Sequence, residues 1–252
     1  MMAFINLSAY RFTPLDDLAA LRSQLLAVAK AAALRGTILL STEGVNLCVA
    51  GTRDGLDRLV GELRAVPGLA DLAPKESTSA EQPFNRMQVK IKREIIPFGV
   101  AGVDPARRPA KRLPASTLRQ WLDEGRPLRL LDTRNDYEIR VGTFRGAVPA
   151  GIAHFRDFPA ASRRLPAEWK EQPVVTFCTG GIRCEKAAPF LESVGFKHVY
   201  QLDGGILKYF ETCGGAHFAG ACFVFDQRGG VDPALRETAA ARVAPCAEAG
   251  QA

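Results

Sequence analysis

The chain has 252 residues, of which 47% are hydrophobic and 24% are charged. This balance is typical of a globular protein with a buried core, and the length suits two domains of ordinary size. No segment approaches the uninterrupted run of about eighteen apolar residues that a membrane span needs, and the N-terminus does not resemble a signal peptide. We therefore expect a cytoplasmic protein that has no membrane partner, and no obligate protein partner is evident from the sequence.

The cysteines are scattered and form no Cys-x-x-Cys pair, so the sequence predicts neither a zinc ribbon nor a disulfide scaffold. The six cysteines are Cys48, Cys178, Cys184, Cys213, Cys222 and Cys246. The histidines are equally dispersed, which is more typical of packing or surface positions than of a ligand set. They are His154, His198 and His217. We expect reduced thiols and no metal site.

The formal charge is +6, and most of the excess lies in one stretch. Between Glu81 and Pro114, eight Lys and Arg residues face three acidic ones, a local charge of +5. A basic band of this kind suits a polyanionic partner such as nucleic acid, although a solvated charged face is the alternative. The candidate phosphate contacts are Lys90, Lys92, Arg107, Arg108 and Lys111.

Residues 1–95 predict a small α+β domain with the element order βαββαβ. The expected elements are a strand at 4–10, a helix that starts at Thr13-Pro14 and runs to about 34, strands at 37–41 and 45–50, a helix at 52–66 and a strand at 84–92. This order is that of a ferredoxin-like, or acylphosphatase-like, unit, which has an antiparallel sheet with both helices on one face.

A basic, proline-rich linker is expected at 96–114, because its four prolines suit neither a helix nor a central strand. Residues 115–212 then alternate between helices and short apolar strands, which predicts a parallel sheet covered by helices on both faces. Residues 213–252 form a C-terminal extension. Ligands of parallel sheets bind at the carboxyl ends of the strands, and Cys178 follows one such strand.

The segment around Cys178 has the pattern of an anion cradle. Cys178 is followed by the loop residues Thr179, Gly180, Gly181 and Ile182, and then by Arg183 at the end of the loop, just before a helix predicted at 185–194. Glycine permits backbone angles that point several N–H groups at the sulfur, while the helix N-terminus and Arg183 add positive charge. These groups should lower the pKa of Cys178 and stabilise an anionic sulfur species. The alternative is a buried structural cysteine.

Four residues separate Cys178 from Arg183, one fewer than in cysteine phosphatases, so the cradle suits sulfur better than phosphate. This loop length resembles that of rhodaneses and implies a rhodanese-like parallel-sheet domain. The resemblance sharpens in four strings to the rhodanese-domain proteins that hydroxylate the wobble uridine of tRNA with oxygen. The strings are CTGGIRCEK at 178–186, DTRNDYE at 132–138, GTFRGA at 142–147 and CFVFD at 222–226. EGVN at 43–46 extends the resemblance to the N-terminal domain.

The resemblance implies an enzyme that converts uridine to 5-hydroxyuridine, with Cys178 and Arg183 as its catalytic residues. Molecular oxygen is then the co-substrate, the anticodon arm of tRNA binds the basic band, and no cofactor site is evident in the sequence. Two alternatives stay open. One is a sulfurtransferase that carries sulfane sulfur on Cys178, which the loop alone would favour. The other is a non-catalytic rhodanese-like module, against which the intact Cys178 and Arg183 argue.

Several neighbours of the loop are weaker candidates. Cys184 either resolves an oxidised Cys178 through a disulfide, for which the Cα atoms must lie within about 7 Å, or packs as a small residue, the interpretation that we favour. Lys186 belongs to the same string but is an ordinary residue for a first helical turn. Upstream, we expect Arg134 to pair with Glu138 and brace the rim of the site, while Asp132 anchors the neighbouring turn.

Overall fold

The computed structural model describes residues 4–238, which fall into two compact units. Of the described residues, the first unit comprises 4–97 together with Phe225–Arg228, and the second comprises Phe98–Val224 and 229–238. The later part of the predicted C-terminal extension, including Cys246, lies outside the described residues. Within residues 4–238, no helix has the length and apolar character needed to cross a bilayer.

The first unit is one five-stranded sheet with two helices. Its elements are β1 (Phe4–Phe12), α1 (Leu18–Ala31), β2 (Arg35–Ser41), β3 (Gly44–Gly51), α2 (Arg53–Arg64), β4 (Lys75–Ser79) and β5 (Met87–Ile91). The strand order is β4-β1-β3-β2-β5. Alternate strand residues such as Leu7, Ile38 and Leu47 form one buried cluster with Leu25 of α1 and Leu59 of α2. This face of the sheet is therefore the core side, as the ferredoxin-like prediction requires.

The expected start of α1 is wrong by several residues. The helix begins at Leu18, and Asp17 is its N-cap, accepting a hydrogen bond from the Ala20 N–H at 3.3 Å. The Thr13 N–H instead donates to the carbonyl of Glu43 at 3.0 Å. This tertiary hydrogen bond holds the Thr13-Pro14 segment as a connection, so the helix starts at the next capping residue.

The expected last strand of the βαββαβ unit is also misplaced. The strand that completes the unit is β4, which pairs antiparallel with β1. Its sequence, KESTS, carries no apolar alternation because β4 is a partly exposed edge strand. The strand expected at 84–92 is present as β5, but it is a fifth strand that pairs parallel with β2 at the opposite edge.

The second unit is built on a five-stranded parallel sheet, beside which lie two small two-stranded sheets. The strands of the unit are β6 (Arg112–Leu113), β7 (Arg129–Asp132), β8 (Gly142–Phe144), β9 (Val148–Pro149), β10 (Pro173–Phe177), β11 (His198–Leu202), β12 (Phe218–Gly220), β13 (Cys222–Phe223) and β14 (Gly230–Val231). Its helices are α3 (Ala115–Asp123), α4 (Asp136–Ile139), α5 (Phe158–Ala161), α6 (Ile182–Ser193) and α7 (Gly205–Cys213), with short 3-10 turns beside α5. The parallel sheet has the order β6-β11-β10-β7-β9, and the two small sheets are β12-β8 and β13-β14.

Helices cover both faces of this sheet. Val175 and Phe177 of β10 belong to a buried cluster with residues of α3 and α7. Their neighbours Val174 and Thr176 point to the opposite face because strand side chains alternate, and α6 packs there against β10 and β11. The helix α6 starts three residues before the expected position at Glu185, so Arg183 and Cys184 lie in its first turn.

Candidate active site

The parallel sheet places Cys178 at the carboxyl end of its central strand. Cys178 follows the last residue of β10 and is almost fully buried. Gly181, the N-cap of α6, has φ 100°, a left-handed conformation that favours glycine. In this conformation its N–H donates to Cys178 Sγ at 3.1 Å. The loop therefore points a backbone donor at the sulfur, as the glycine pattern predicts.

The surroundings of Cys178 favour its anion. Burial alone would raise the pKa of this thiol, but the hydrogen bond from the Cys184 thiol, the charge of Arg183 and the N–H groups of Arg183 and Gly181 outweigh it. Together they lower the pKa of Cys178 from 9.0 to about 6. Near neutral pH the side chain is consequently a thiolate, the form in which cysteine acts as a nucleophile.

Arg183 is fixed by a buried ion pair with Glu138. Its two terminal nitrogens donate to Glu138 Oε2 and Oε1 at 3.1 and 2.8 Å, and both side chains are buried. Bidentate pairing of this kind sets the orientation of the guanidinium plane as well as its position. The Arg183 charge is therefore held beside the loop.

The expected pairing of Arg134 with Glu138 is wrong. Arg134 pairs with Asp132, at 2.9 Å from Nε to Oδ1 and 2.6 Å from Nη2 to Oδ2, and both side chains are almost fully buried. Asp132 also accepts from Thr143 Oγ1 at 2.7 Å. Arg134 lies two residues from Asp132, so the turn itself brings them together, while the longer reach to Glu138 is taken by Arg183.

Cys184 lies on the buried side of the loop, against Cys178. The Cys184 thiol is in hydrogen-bond contact with the Cys178 sulfur, and Thr133 Oγ1 lies 3.6 Å from Cys184 Sγ. Burial, this hydrogen bond and the negative charge of Cys178 raise the pKa of Cys184 well above its ordinary value. The surroundings thus lower the pKa of the Cys178 thiol and raise the pKa of the Cys184 thiol.

The start of α7 holds the loop from its other side. The N–H groups of Ile206 and Leu207 donate to the carbonyls of Cys178 and Thr179, both at 3.0 Å. Gly205 comes so close that a Cβ atom there would lie 2.5 Å from the Cys178 carbonyl oxygen. The sequence reasoning missed this contact, although the Gly204-Gly205 pair was its visible signal.

Cys222 and Thr133 are further residues of the site that the sequence reasoning did not assign. Cys222 is buried, and burial raises its pKa to about 12. The next residue, Phe223, accepts a hydrogen bond from Thr179 Oγ1 at 3.3 Å, so β13 contacts the active-site loop. The CFVFD string was the available signal for this contact.

The other predicted residues are placed as follows. Lys186 is buried in α6, and its neighbour Glu185 accepts a hydrogen bond from Arg112 at 2.8 Å. Gly180 and Ile182 are half-buried at the loop. Of the basic candidates, Lys90 is half-buried in β5 of the first unit and the others are exposed; the exposed ones are Lys92 in the first unit and Arg107, Arg108 and Lys111 in the second.

Both units match known domain families. Residues 4–95 match the UPF0176 acylphosphatase-like domain, and residues 114–212 match the rhodanese-like domain. A rhodanese-like domain from Anabaena is 27% identical, covering 43% of this chain and 78% of its own, with a TM-score of 0.36. The two family matches define a rhodanese-domain protein that carries an acylphosphatase-like domain before it.

Curated relatives that are similar over nearly the whole chain assign this rhodanese-domain protein to a particular family. A protein of Thiobacillus denitrificans is 50% identical over 93% of this chain and 97% of its own length, and one of Bordetella petrii is 50% identical over 93% and 95%. Both carry the name tRNA uridine(34) hydroxylase. The chain belongs to the tRNA uridine(34) hydroxylase family.

Proposed function

We propose that the protein hydroxylates the wobble uridine of tRNA to 5-hydroxyuridine, with molecular oxygen as co-substrate and Cys178 as the reactive centre. The observation that carries this assignment is the anion cradle around buried Cys178, in which the Gly181 N–H donates to the sulfur at 3.1 Å and lowers the pKa of the thiol together with Arg183. The close relatives' shared name supplies the reaction and the tRNA substrate. We place this activity in the cytoplasm, where tRNA is available.

Each residue of the cradle has a role in this proposal. The N–H of Gly181 and the charge of Arg183 hold the anionic sulfur, and Glu138 keeps Arg183 in place. These donors are fixed before the reaction, so they stabilise negative charge without having to reorient. The half-buried Thr179 and Ile182 form the rim that meets the uracil ring.

The same thiolate also suits a sulfurtransferase, because a persulfide on Cys178 would use the same N–H donors. The relatives' name favours hydroxylation over this alternative. A non-catalytic module would gain nothing from the lowered pKa of Cys178, whereas a nucleophile requires it.

The first experiment measures the product. Purified protein is incubated with unmodified tRNA under oxygen gas labelled with heavy oxygen, and the nucleosides are analysed by mass spectrometry. We expect labelled 5-hydroxyuridine from the wild type and none from Cys178→Ser, because serine gives no thiolate at neutral pH. The matched control is Cys213→Ser, which alters a half-buried cysteine at the end of α7 and should keep full activity. If no 5-hydroxyuridine forms but thiosulfate, supplied in a parallel incubation as sulfur donor, is turned over rapidly, the sulfurtransferase replaces this proposal.

We further propose that the five basic candidates contact phosphates of the anticodon arm. They are Lys90, Lys92, Arg107, Arg108 and Lys111. The charge of all five residues supports this role, as does the exposure of Lys92, Arg107, Arg108 and Lys111, since each phosphate contact releases counterions. Replacing Lys92, Arg107, Arg108 and Lys111 together by alanine should weaken tRNA binding and reduce its logarithmic salt slope, by up to about 0.9 for each duplex phosphate that is no longer neutralised. Binding measured across a salt series checks this. Unchanged affinity and slope would place the RNA surface elsewhere on the protein.

A further inference from the structure

The proposed reaction has an electron requirement that its substrates do not meet. Molecular oxygen delivers one atom to the uracil ring, and the second atom must be reduced to water. This reduction consumes two electrons and two protons beyond those that the ring supplies. A pair of thiols that closes into a disulfide releases two electrons and two protons, so a dithiol in contact with the reaction meets the requirement in one step.

The active-site loop holds such a pair. Cys178 and Cys184 are both buried, and Gly181 contacts both of them: its N–H donates to Cys178 Sγ at 3.1 Å, and its carbonyl accepts from the Cys184 N–H at 3.0 Å. They lie at opposite ends of one short segment, the loop and the first turn of α6. Thr133 contacts Cys184 from the side of β7 and fixes its position. The loop therefore holds the two thiols close to each other, and the hydrogen bond between them acts on the pKa of both.

The loop assigns different tasks to the two sulfurs. The Gly181 N–H donates to Cys178, and the loop residues Thr179, Gly180 and Ile182 are half-buried, so the loop presents Cys178 to the substrate. Cys184 is completely buried behind it. A reactive sulfur species on Cys178 therefore has Cys184 as its nearest internal thiol partner.

We propose that Cys178 and Cys184 are the two-electron donor of the hydroxylation and that each turnover leaves them joined as a disulfide. This inference rests on the proposed function and deepens it by naming the reductant. An external thiol then reopens the disulfide by thiol–disulfide exchange, and this exchange makes turnover depend on a thiol supply.

The step balances as follows. The O–O bond of oxygen breaks, one atom forms a C–O bond at C5 of the uracil and thereby replaces C5–H by C5–OH, and the other atom leaves as water. The two sulfurs lose two electrons and form the S–S bond. The water takes two protons, one from the Cys184 thiol and one from solvent, because Cys178 is already a thiolate. The proton that leaves C5 is balanced by the proton of the new hydroxyl group.

A single-turnover experiment tests the proposal. The protein is reduced, freed of reductant without oxygen, mixed with less than one equivalent of unmodified tRNA and then exposed to oxygen. Trypsin cleaves after Lys170, Arg183 and Lys186, so Cys178 and Cys184 fall in separate peptides. A Cys178–Cys184 disulfide links residues 171–183 to residues 184–186, and unreduced mass spectrometry detects this species directly. We expect one linked peptide for each 5-hydroxyuridine formed, and little linkage when tRNA is omitted.

The decisive variant is Cys184→Ser, which keeps a hydrogen-bond donor beside Cys178 but removes the second sulfur. Its single-turnover yield without reductant should fall by about tenfold or more. Cys213→Ser, the matched control in the same unit, should keep the wild-type yield. Rapid alkylation of Cys178 at pH 7 in Cys184→Ser shows that the loop is still formed.

Three results would overturn the inference. They are full product without the linked peptide, an undiminished yield in Cys184→Ser, and equal linkage with and without tRNA. These differ from failure of the proposed function, in which the wild type makes no 5-hydroxyuridine even with excess dithiothreitol.

Discussion

The two units each contain one buried Asp-x-Arg turn, and the two turns have the same internal geometry. In the second unit Arg134 reaches Asp132 with N–H, Nε and Nη2 at 3.1, 2.9 and 2.6 Å. In the first unit Arg228 reaches Asp226 at 3.0, 2.8 and 2.6 Å. A separation of two residues therefore sets this ion pair, whichever sheet the turn belongs to.

The turns differ in the groups beyond the pair. Arg134 also donates to the Gly142 carbonyl at 2.7 Å, and its Nη1 is buried without a hydrogen-bond partner among the described residues. Arg228 uses its corresponding nitrogen to donate to Ser77 Oγ at 2.8 Å and is slightly more exposed. The comparison teaches that the two-residue spacing determines the Asp–Arg ion pair. The surrounding sheet determines how many of the remaining guanidinium nitrogens find a hydrogen-bond acceptor.

The largest expected effect comes from breaking the more deeply buried pair. Arg134→Met should lower the free energy of unfolding by about 3 to 5 kcal/mol, because it leaves the Asp132 carboxylate buried without its counter-charge. Urea unfolding followed by tryptophan fluorescence measures this, since Trp121 and Trp169 both lie in the second unit.

The matched variant is Arg228→Met, which breaks the equivalent pair in the first unit. We expect it to shift the tryptophan transition less than Arg134→Met, because no tryptophan lies in that unit and its ion pair is less buried. Circular dichroism should show the destabilisation of the first unit. Equal shifts of the tryptophan transition in both variants would contradict the view that the two turns act on separate cores.

The second and smaller effect concerns Arg183, whose partner Glu138 is distant in sequence. Removing the positive charge in Arg183→Met should raise the pKa of Cys178 above about 6. At pH 7 a thiol with a pKa of about 6 is roughly 90% thiolate, and any rise lowers this fraction. Alkylation of Cys178 by iodoacetamide should therefore slow at pH 7 and recover as the pH is raised.

Two controls separate charge from folding in that experiment. Arg183→Lys retains the positive charge and should keep most of the alkylation rate at pH 7. Combining Arg183→Met with Glu138→Gln removes the unpaired carboxylate, which would otherwise destabilise the core on its own. A pH profile that is the same in Arg183→Met and in the wild type would show that the N–H donors alone set the pKa of Cys178.

Much of the site could be predicted because its signals are local. The Cys178 to Arg183 spacing, the glycines and the strand before them all lie within one short segment, and the structure places the N–H of Gly181 on the sulfur as expected. The Arg183–Glu138 pair could not be predicted in the same way, because 45 residues separate the partners and only the sheet brings them together.

The errors in the fold have the same physical origin. Thr13-Pro14 has the pattern of a helix start, but a hydrogen bond to the Glu43 carbonyl keeps it out of α1. The edge strand β4 was missed because pairing with β1, rather than apolar alternation, makes it a strand. Sequence patterns report what a segment favours on its own, and both segments are decided by a neighbour.

The contacts between α7 and the active-site loop have a consequence for charge transfer. The N–H groups of Ile206 and Leu207 in α7 donate to carbonyl oxygens of the loop, while the N–H of Gly181 donates to the Cys178 sulfur. When the sulfur gains or loses an electron pair, these amide dipoles are already aligned and have little freedom to turn. The protein surroundings thus contribute a low reorganisation energy, and the Gly205 contact, which admits no side chain, keeps it low.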